Sequence, residues 1–526
     1  MKKLLFLLIC TIYLHANAQI TFQKTIQQNA STHKVFQTND GGYMLYGASS
    51  DANHHPDFLL IKTNAFGDTL WTKAYGGTST DVLISCIQTS NGGFMLFGST
   101  TSFGATNRAI FIIKTDLQGN LIWSKTIGGD LHSNIGTVKQ TTDKGYIITG
   151  GTSSCNGLNG DDDVFVLKID SNANIAWMQT YGMSGTETGI SIEQTADGGY
   201  VAACTLFETQ PTVQVSNLLI RTDNLGDTIW AKTYKTKYIN NPLSIASCIK
   251  TLDGGFILSF YTNHGDTLAF YTKINSSGNV IWSRKANLNP FKDSCAQQIS
   301  NPTAALPTND KGFLLAYNYN HYCNTTGYNT DGNGIIIKTD SVGNTLWQTS
   351  VPHTPPSYEY ISQTSDSGFI VIADSGLAAE LFSIIKLDKN GNSYCKSSYS
   401  APSMDTISII SVDTSLTINW CPWYTTGQSP IVTSGYGTYT TGCSGYTDIK
   451  KNISPYYIKI YPNPANNKIT IDANDVTDVK LFDVLGKQIF TSKQNQIDVS
   501  NFNEGVYFIQ VQTNTGTTTQ KIVVQH

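Results

Sequence analysis

The stretch "FIIKTDLQGNLIWSKTIGG" runs from Phe111 to Gly129, and close copies of it recur along the chain. "FLLIKTNAFGDTLWTKAYGG" starts at Phe58, "LLIRTDNLGDTIWAKTY" at Leu218 and "IIIKTDSVGNTLWQTS" at Ile335. A second signature precedes each copy. It reads "QTNDGGY" at Gln37, "QTSNGGF" at Gln88, "QTTDKGY" at Gln140, "QTADGGY" at Gln194, "KTLDGGF" at Lys250, "PTNDKGF" at Pro307 and "QTSDSGF" at Gln363. Its second glycine falls at Gly42, Gly93, Gly145, Gly199, Gly255, Gly312 and Gly368, with gaps of 51, 52, 54, 56, 57 and 56 residues. A fixed period of this length marks a repeat architecture.

Each unit reads as four strands. One ends at the Gln-Thr, as in "VLISCIQT". Asp-Gly-Gly supplies the positive-φ positions of a tight hairpin. "FMLFGST" is the second strand. "AIFIIKTD" is apolar at nearly every position, so both its faces should be covered. After the turn "LQGN", the strand "LIWSKTI" places Trp123, Lys125 and Ile127 on one face. Four strands in about fifty residues is the size of a propeller blade. The expected fold is all-β, a seven-bladed β-propeller.

Tryptophan holds one position in six units, at Trp71, Trp123, Trp177, Trp230, Trp282 and Trp347. The seventh unit, "GNSYCKSSY", lacks it. A large flat ring suits packing between blades. "ITFQKTI", from Ile20 to Ile26, resembles the fourth strand of a unit. It is expected to complete the last blade and close the ring, which would remove exposed edges. Both tight turns of a blade share one end, here called the uniform end. The unlike loops share the other, the variable end, where functional residues are expected.

The chain has 526 residues, 14% of them charged, and a net charge of −4. That balance offers no basic stripe for nucleic acid. "MKKLLFLLICTIYLHANAQ" has the charged start, apolar run and small-residue site of a secretory signal peptide, residues 1–18. No later apolar stretch is long enough to cross a bilayer as a helix. Nine of the ten cysteines follow Cys10. Cys86 and Cys248 occupy positions that are apolar in the other units and read as small buried hydrophobes, and Cys204 as structural. Cys295 with Cys323 and Cys421 with Cys443 are the candidate disulfides.

Motifs for chemistry are sparse. His54, His55 and Asp57 share a loop, without a second cluster at metal-ligand spacing. Gly160–Phe165 ("GDDDVF") and Asn329–Gly334 ("NTDGNG") could offer oxygens to calcium, but neither has the spacing of a calcium loop. Calcium is therefore the one cofactor considered, and none is expected. No nucleophile elbow, zinc helix or phosphate loop occurs, and the sequence selects no catalytic residue.

The texture changes near residue 400. Residues 19–400 form the expected propeller and 401–452 a Ser/Thr/Gly/Tyr-rich connector with strands in it. Residues 453–526 alternate as strands of a small Ig-like β-sandwich. This last stretch resembles the type A C-terminal sorting domain of type IX secretion cargo. The marks are Tyr461-Pro462-Asn463-Pro464, "LFDVLG" ending at Gly486, Gly505-Val506-Tyr507 and Lys521–Val524. The resemblance implies recognition by the type IX secretion machinery of a Gram-negative bacterium, passage through the periplasm, and delivery to the outer-membrane surface or the medium. The propeller also resembles repeats attached to such domains. Its expected role is binding of an extracellular glycan or protein. The alternatives are a carbohydrate-active hydrolase or lyase with carboxylates on the variable face, and a structural surface-layer component.

Overall fold

The computed structural model describes residues 20–440 and 459–525, apart from short internal stretches that include 51–54, 153–161, 209–213, 237–242, 263–268, 287–295, 323–332, 375–380, 394–403 and 484–487. The described elements are all β-strands, in two separate units divided between Ser444 and Gly445.

The first unit contains seven antiparallel sheets, each built on four strands, in sequence order in six of them. Blade 2 is typical, with strands Asp81–Gln88, Phe94–Thr100, Arg108–Thr115 and Leu121–Leu131. The first strands of the other blades are Ala30–Gln37, Ile135–Gln140, Thr186–Gln194, Leu243–Lys250, Ala296–Pro307 and Ser357–Gln363. First strands of neighbouring blades run beside one another, so they border the axis, and that of blade 1 lies against that of blade 7. The third strand is buried along almost its whole length, as its unbroken apolar run requires. Blade 7 takes its fourth strand from the amino terminus. Phe22–Gln27 pairs with Leu381–Leu387, Phe22 opposite Lys386.

The geometry explains the recurring string. Asp116 Oδ1 accepts the Gln118 and Asn120 amides, which tightens the second hairpin. Gly119 stands there at φ +74°. Trp71 of blade 1 covers this glycine so closely that a Cβ on Gly119 would lie 2.9 Å from the indole. Lys73 donates to Asn120 Oδ1 at 2.6 Å, and Tyr75 Oη donates to the Gly119 carbonyl at 2.5 Å. The same indole meets Phe94 edge-on, ring centres 6.2 Å apart. Trp177 on Tyr200, Trp282 on Phe313 and Trp347 on Phe369 repeat this contact. In blade 7 Phe22 stands in for the tryptophan. It meets Tyr43 of blade 1 at 5.8 Å and covers Gly67, while Lys24 pairs with Asp68.

At the uniform end the first hairpins are also cross-linked. The Asn39 amide donates to Gln88 of the next blade at 2.9 Å and the Thr142 amide to Gln194 at 2.8 Å. The Ser365 amide of blade 7 donates to Gln37 of blade 1 at 2.7 Å, which closes the circle. Inside six blades a buried cation of the third strand reaches the aspartate of the first hairpin. The pairs are Lys62–Asp40, Lys168–Asp143, Arg221–Asp197, Lys273–Asp253, Lys338–Asp310 and Lys386–Asp366. Burial would raise these carboxyls, but bonds from the lysine and the hairpin threonine win, and Asp143 and Asp253 fall to about 2. In blade 2 the partner is Asn91, and Lys114 turns to the Trp123 ring, 5.9 Å from its centre.

The stretch between residues 404 and 440 adds a fifth, outer strand to six blades. Met404–Thr406 pairs with blade 5, Ile409–Asp413 with blade 4 and Thr417–Trp420 with blade 3. Thr425–Gly427 pairs with blade 2, Ile431–Ser434 with blade 1, and Thr438–Thr440 with Phe22–Gln27 of blade 7. The chain thus runs back around the ring as a belt, covering part of the outer edge of every blade but the sixth, and its last belt strand lies on the strand that closed the ring.

The second unit has a three-stranded sheet, Lys459–Tyr461, Lys468–Asp472 and Gln496–Asp498. Its four-stranded sheet runs Gln488–Ser492, Val476–Phe482, Gly505–Thr513, Gly516–Val524. Alternating residues such as Ile469, Ile471, Val479, Leu481, Ile509 and Val511 form its core. Asn463 Oδ1 accepts the Val523 amide at 2.8 Å, and Ala465 bonds with Val523 and Gln525. The Tyr-Pro-Asn-Pro motif therefore holds the final strand in register.

Two outcomes test this account. Gly41 stands at φ +81° with nothing within 4 Å of an added Cβ, so Gly41→Ala should cost only backbone strain, about 1 kcal/mol. Gly119→Ala adds the collision with Trp71 and should cost about 2 kcal/mol or more by denaturant unfolding. For the belt, Tyr439→Pro in the full chain should speed amide exchange in Phe22–Gln27 by at least about tenfold. Unchanged protection there would remove the belt as a clamp on the closing strand.

Candidate functional site at the axis of the ring

The inner strands repeat as well, and their exceptions stand out. Three residues before the Gln of the first hairpin, or its equivalent, five blades carry a small side chain: Ser85, Thr137, Ser191, Ser247 and Ala304. Blade 1 has Lys34 and blade 7 has Tyr360. One residue before the Gln, most blades are apolar, with Phe36, Ile87, Ile249 and Leu306. Blades 3 and 4 carry Lys139 and Glu193 instead, and blade 7 carries Ser362. A register shift precedes this segment in every first strand, as between Thr32 and Lys34 or Tyr358 and Tyr360. Such bulges re-aim the side chains that follow them.

These exceptions come together across the ring. Lys139 Nζ lies 2.7 Å from Glu193 Oε1, off the line of a good hydrogen bond, so the attraction is one of charge. Lys139 keeps 39% of its side-chain surface exposed and Glu193 12%, as suits the wall of an opening. Lys34 Nζ donates to the Ile84 carbonyl at 2.8 Å. Burial, and then the Lys139 charge, push the Lys34 ammonium down to about 8. Burial would also lower Lys139, but the Glu193 carboxylate outweighs it and holds Lys139 above the usual lysine range. Burial raises the Tyr360 hydroxyl, with Lys139 pulling it down and Glu193 pushing it up. Blades 1, 3, 4 and 7 thus share one electrostatic site, near the uniform end. The hydroxyls between them are engaged: Thr137 donates to the Ile190 carbonyl, Ser191 to the Cys248 carbonyl, and Ser247 bonds Ser259.

Among the described residues, two pairs of carboxylates stand at the variable end. Asp57 and Asp81 converge beside Gly76, where an added Cβ would lie 1.8 Å from Asp57 Oδ1 and 2.9 Å from Asp81 Oδ2. Asp81 is fully buried, and its Oδ2 accepts the Gly77 amide and the Ser102 hydroxyl, both at 2.8 Å. Burial raises its pKa against those donors. Asp163 and Glu187 stand at the equivalent positions of blades 3 and 4, and both are buried. Asp57 is half-buried, but its partner Asp81 is sealed from solvent, as are both Asp163 and Glu187, so neither pair offers two accessible carboxylates. Among the described residues, no three His, Cys, Asp or Glu side chains gather at a distance that could hold a metal ion.

His55 and Asp57 are described, while His54, Gly160, Asp161 and residues 329–332 lie outside the described residues. So do Cys295, Cys323, Cys421, Cys443 and Gly486. Cys86, Cys204 and Cys248 are free and buried, and burial raises each thiol. In the second unit Tyr507 Oη donates to the Asn503 carbonyl at 2.7 Å, and its ring packs on Phe502.

Comparison with known proteins bears on the two units unequally. Residues 459–525 match the family described as a secretion system C-terminal sorting domain. No curated protein matches the chain. Solved structures give distant likenesses. A protein of unknown function from Bacteroides caccae shares 12% identity over 62% of this chain and 94% of its own, with a TM-score of 0.35. An endo-1,5-α-L-arabinanase from Thermotoga petrophila shares 11% over 70% and 99%, with a TM-score of 0.26. The extracellular domain of a hybrid two-component system protein from B. thetaiotaomicron shares 10% over 94% and 84%, with a TM-score of 0.19. Similarity at this level speaks to neither ligand nor activity. Among the described residues, no helix is long and apolar enough to cross a membrane.

The site predicts a coupled titration. In Lys139→Met the charge that repels the Lys34 proton is gone. That favours charged Lys34, so its pKa should rise from about 8, while burial, the larger cause, still holds it below the ordinary lysine value. Titration of the Lys34 side-chain carbon signals by NMR reads the shift, and no rise would dissolve the cluster. The chain is an all-β propeller protein carrying a type IX C-terminal sorting domain, and that domain directs it to the cell surface or the extracellular space.

Proposed function

We propose that the propeller is an extracellular binding module, exported through its sorting domain after an amino-terminal signal peptide, residues 1–18, has taken it out of the cytoplasm. The observation that carries this reading is the axial cluster. Residues that break the repeat gather on partly exposed inner strands, while among the described residues Asp81, Asp163 and Glu187 are buried between blades. A polar patch, with no exposed carboxylate pair at the variable end among the described residues, suits recognition better than hydrolysis. The ligand is a glycan or protein of the extracellular surroundings. Full-length protein should retain ligands on a glycan and matrix-protein array and release no new reducing ends or unsaturated products from the polysaccharides it holds. Product formation from a bound polysaccharide would replace the binding reading with an enzymatic one.

A further inference from the structure

We propose that the axial cluster of Lys34, Lys139, Glu193 and Tyr360 receives an oxyanion group, carboxylate or sulfate, carried by an acidic polysaccharide. This rests on the binding reading and names the ligand class of the same site.

The first argument is charge. Among the described residues the cluster sets two ammonium groups against one carboxylate. Glu193 is engaged with Lys139, so Lys34 is left facing a like charge in an enclosed place. Packing two cations there costs free energy that an ordinary repeat would avoid by keeping the small residues of the other blades. An incoming anion offsets that cost directly.

The second argument is donor supply. An ammonium has three hydrogens, and the Ile84 carbonyl takes one from Lys34. Thr137, Ser191 and Ser247 are committed to protein partners. The donors left to a ligand are ammonium hydrogens and the Tyr360 hydroxyl, which burial keeps protonated. Such donors suit oxyanions and repel metal cations.

The third argument is the wall. Phe36, Ile87, Ile249 and Leu306 are half-buried beside the charged residues. They give an apolar surface against which the C–H faces of a sugar ring can lie. An opening ringed by seven strands admits a group on a flexible chain, not a folded protein surface. Its place near the uniform end puts the ligand on the face of the tight hairpins.

The test is calorimetric titration of the full chain at low salt with three probes of similar length: oligogalacturonate, sulfated dextran and neutral dextran. At pH 6.5 at least one acidic probe should bind about tenfold or more tighter than neutral dextran, and which one binds decides between carboxylate and sulfate. Lys34→Met and Lys139→Met should each weaken that binding by about tenfold or more. Lys73→Met, which removes only an outer contact to Asn120, should not. Above pH 8 the wild type should lose affinity as Lys34 loses its proton, whereas Lys34→Arg should keep its affinity at pH 9.5. Equal affinity for neutral and acidic probes would overturn the anion site and leave the binding reading intact. Acidic binding untouched by both methionine variants would also overturn it, as would no binding of any probe. An array ligand without acidic groups would still support the binding reading in that last case.

Discussion

The ring depends on one contact, made by a fourth-strand aromatic against the second hairpin of the next blade. A glycine stands at that hairpin in six of the seven blades, where φ is positive and the aromatic leaves little room for a Cβ, while blade 3 holds Ala173 in the same place at φ +60°. Blade 4 shows the contact at Gly226 with Trp177, and blade 7 shows it at Gly391 with Trp347. Five of these aromatics, Phe22, Trp71, Trp177, Trp282 and Trp347, also meet the ring that follows the next blade's first hairpin, a contact typically about 0.5–1.5 kcal/mol beyond area burial. An array of such contacts has a beginning and an end. The end lacks a tryptophan, and the beginning offers Phe22 on a strand of its own. One missing residue in the seventh unit and one spare strand before the first are therefore the same fact.

Much of this is legible in the sequence because the repeat averages out accident. Gly-Gly and Trp recur at fixed offsets, so blade number, hairpin positions and the closing strand follow. The axial cluster is also written there, as Lys34 and Tyr360 among small residues and Lys139 and Glu193 among apolar ones. What the sequence withholds is that these positions face each other across the axis, since they lie in blades 1, 3, 4 and 7 and follow a bulge in each strand. Expecting function only among the unlike loops overlooks an exception hidden inside a strand. The belt is harder still. Its strands are three to five residues long, as in Thr438–Thr440 and Ile409–Asp413, too short to show an alternation.

The buried cation of each blade shows how local chemistry supports the ring. Lys168 is almost fully buried yet reaches Asp143 and the Ile169 carbonyl at the hairpin. Its carboxylate partner sits mostly in water, so the pair gains donors at both ends without enclosing two charges. The depressed carboxyls mean that this support is whole above their unfolded pKa, near 4, and is lost as the pH falls toward about 2. Blade 2 marks the limit of the rule. With Asn91 in place of aspartate, Lys114 is less buried and leans on an indole instead.

Order of synthesis gives the closure a further meaning. Phe22–Gln27 emerges first, yet its partner Leu381–Leu387 is among the last strands of the ring. The belt strand Thr438–Thr440, which covers its other edge, is made later still. Until then blade 7 lacks an outer strand, and Gly67 of blade 1 lacks the aromatic that covers it. Loop closure over so long a chain is slow, because its entropy is lost before the contact rewards it. The sorting domain begins at Lys459, just past the last belt strand. The residues that complete the ring are therefore made shortly before those that mark the chain for export: a chain broken off before Thr438 forfeits both, whereas one broken between Thr440 and Lys459 keeps the clamp on its first strand and loses only the export signal.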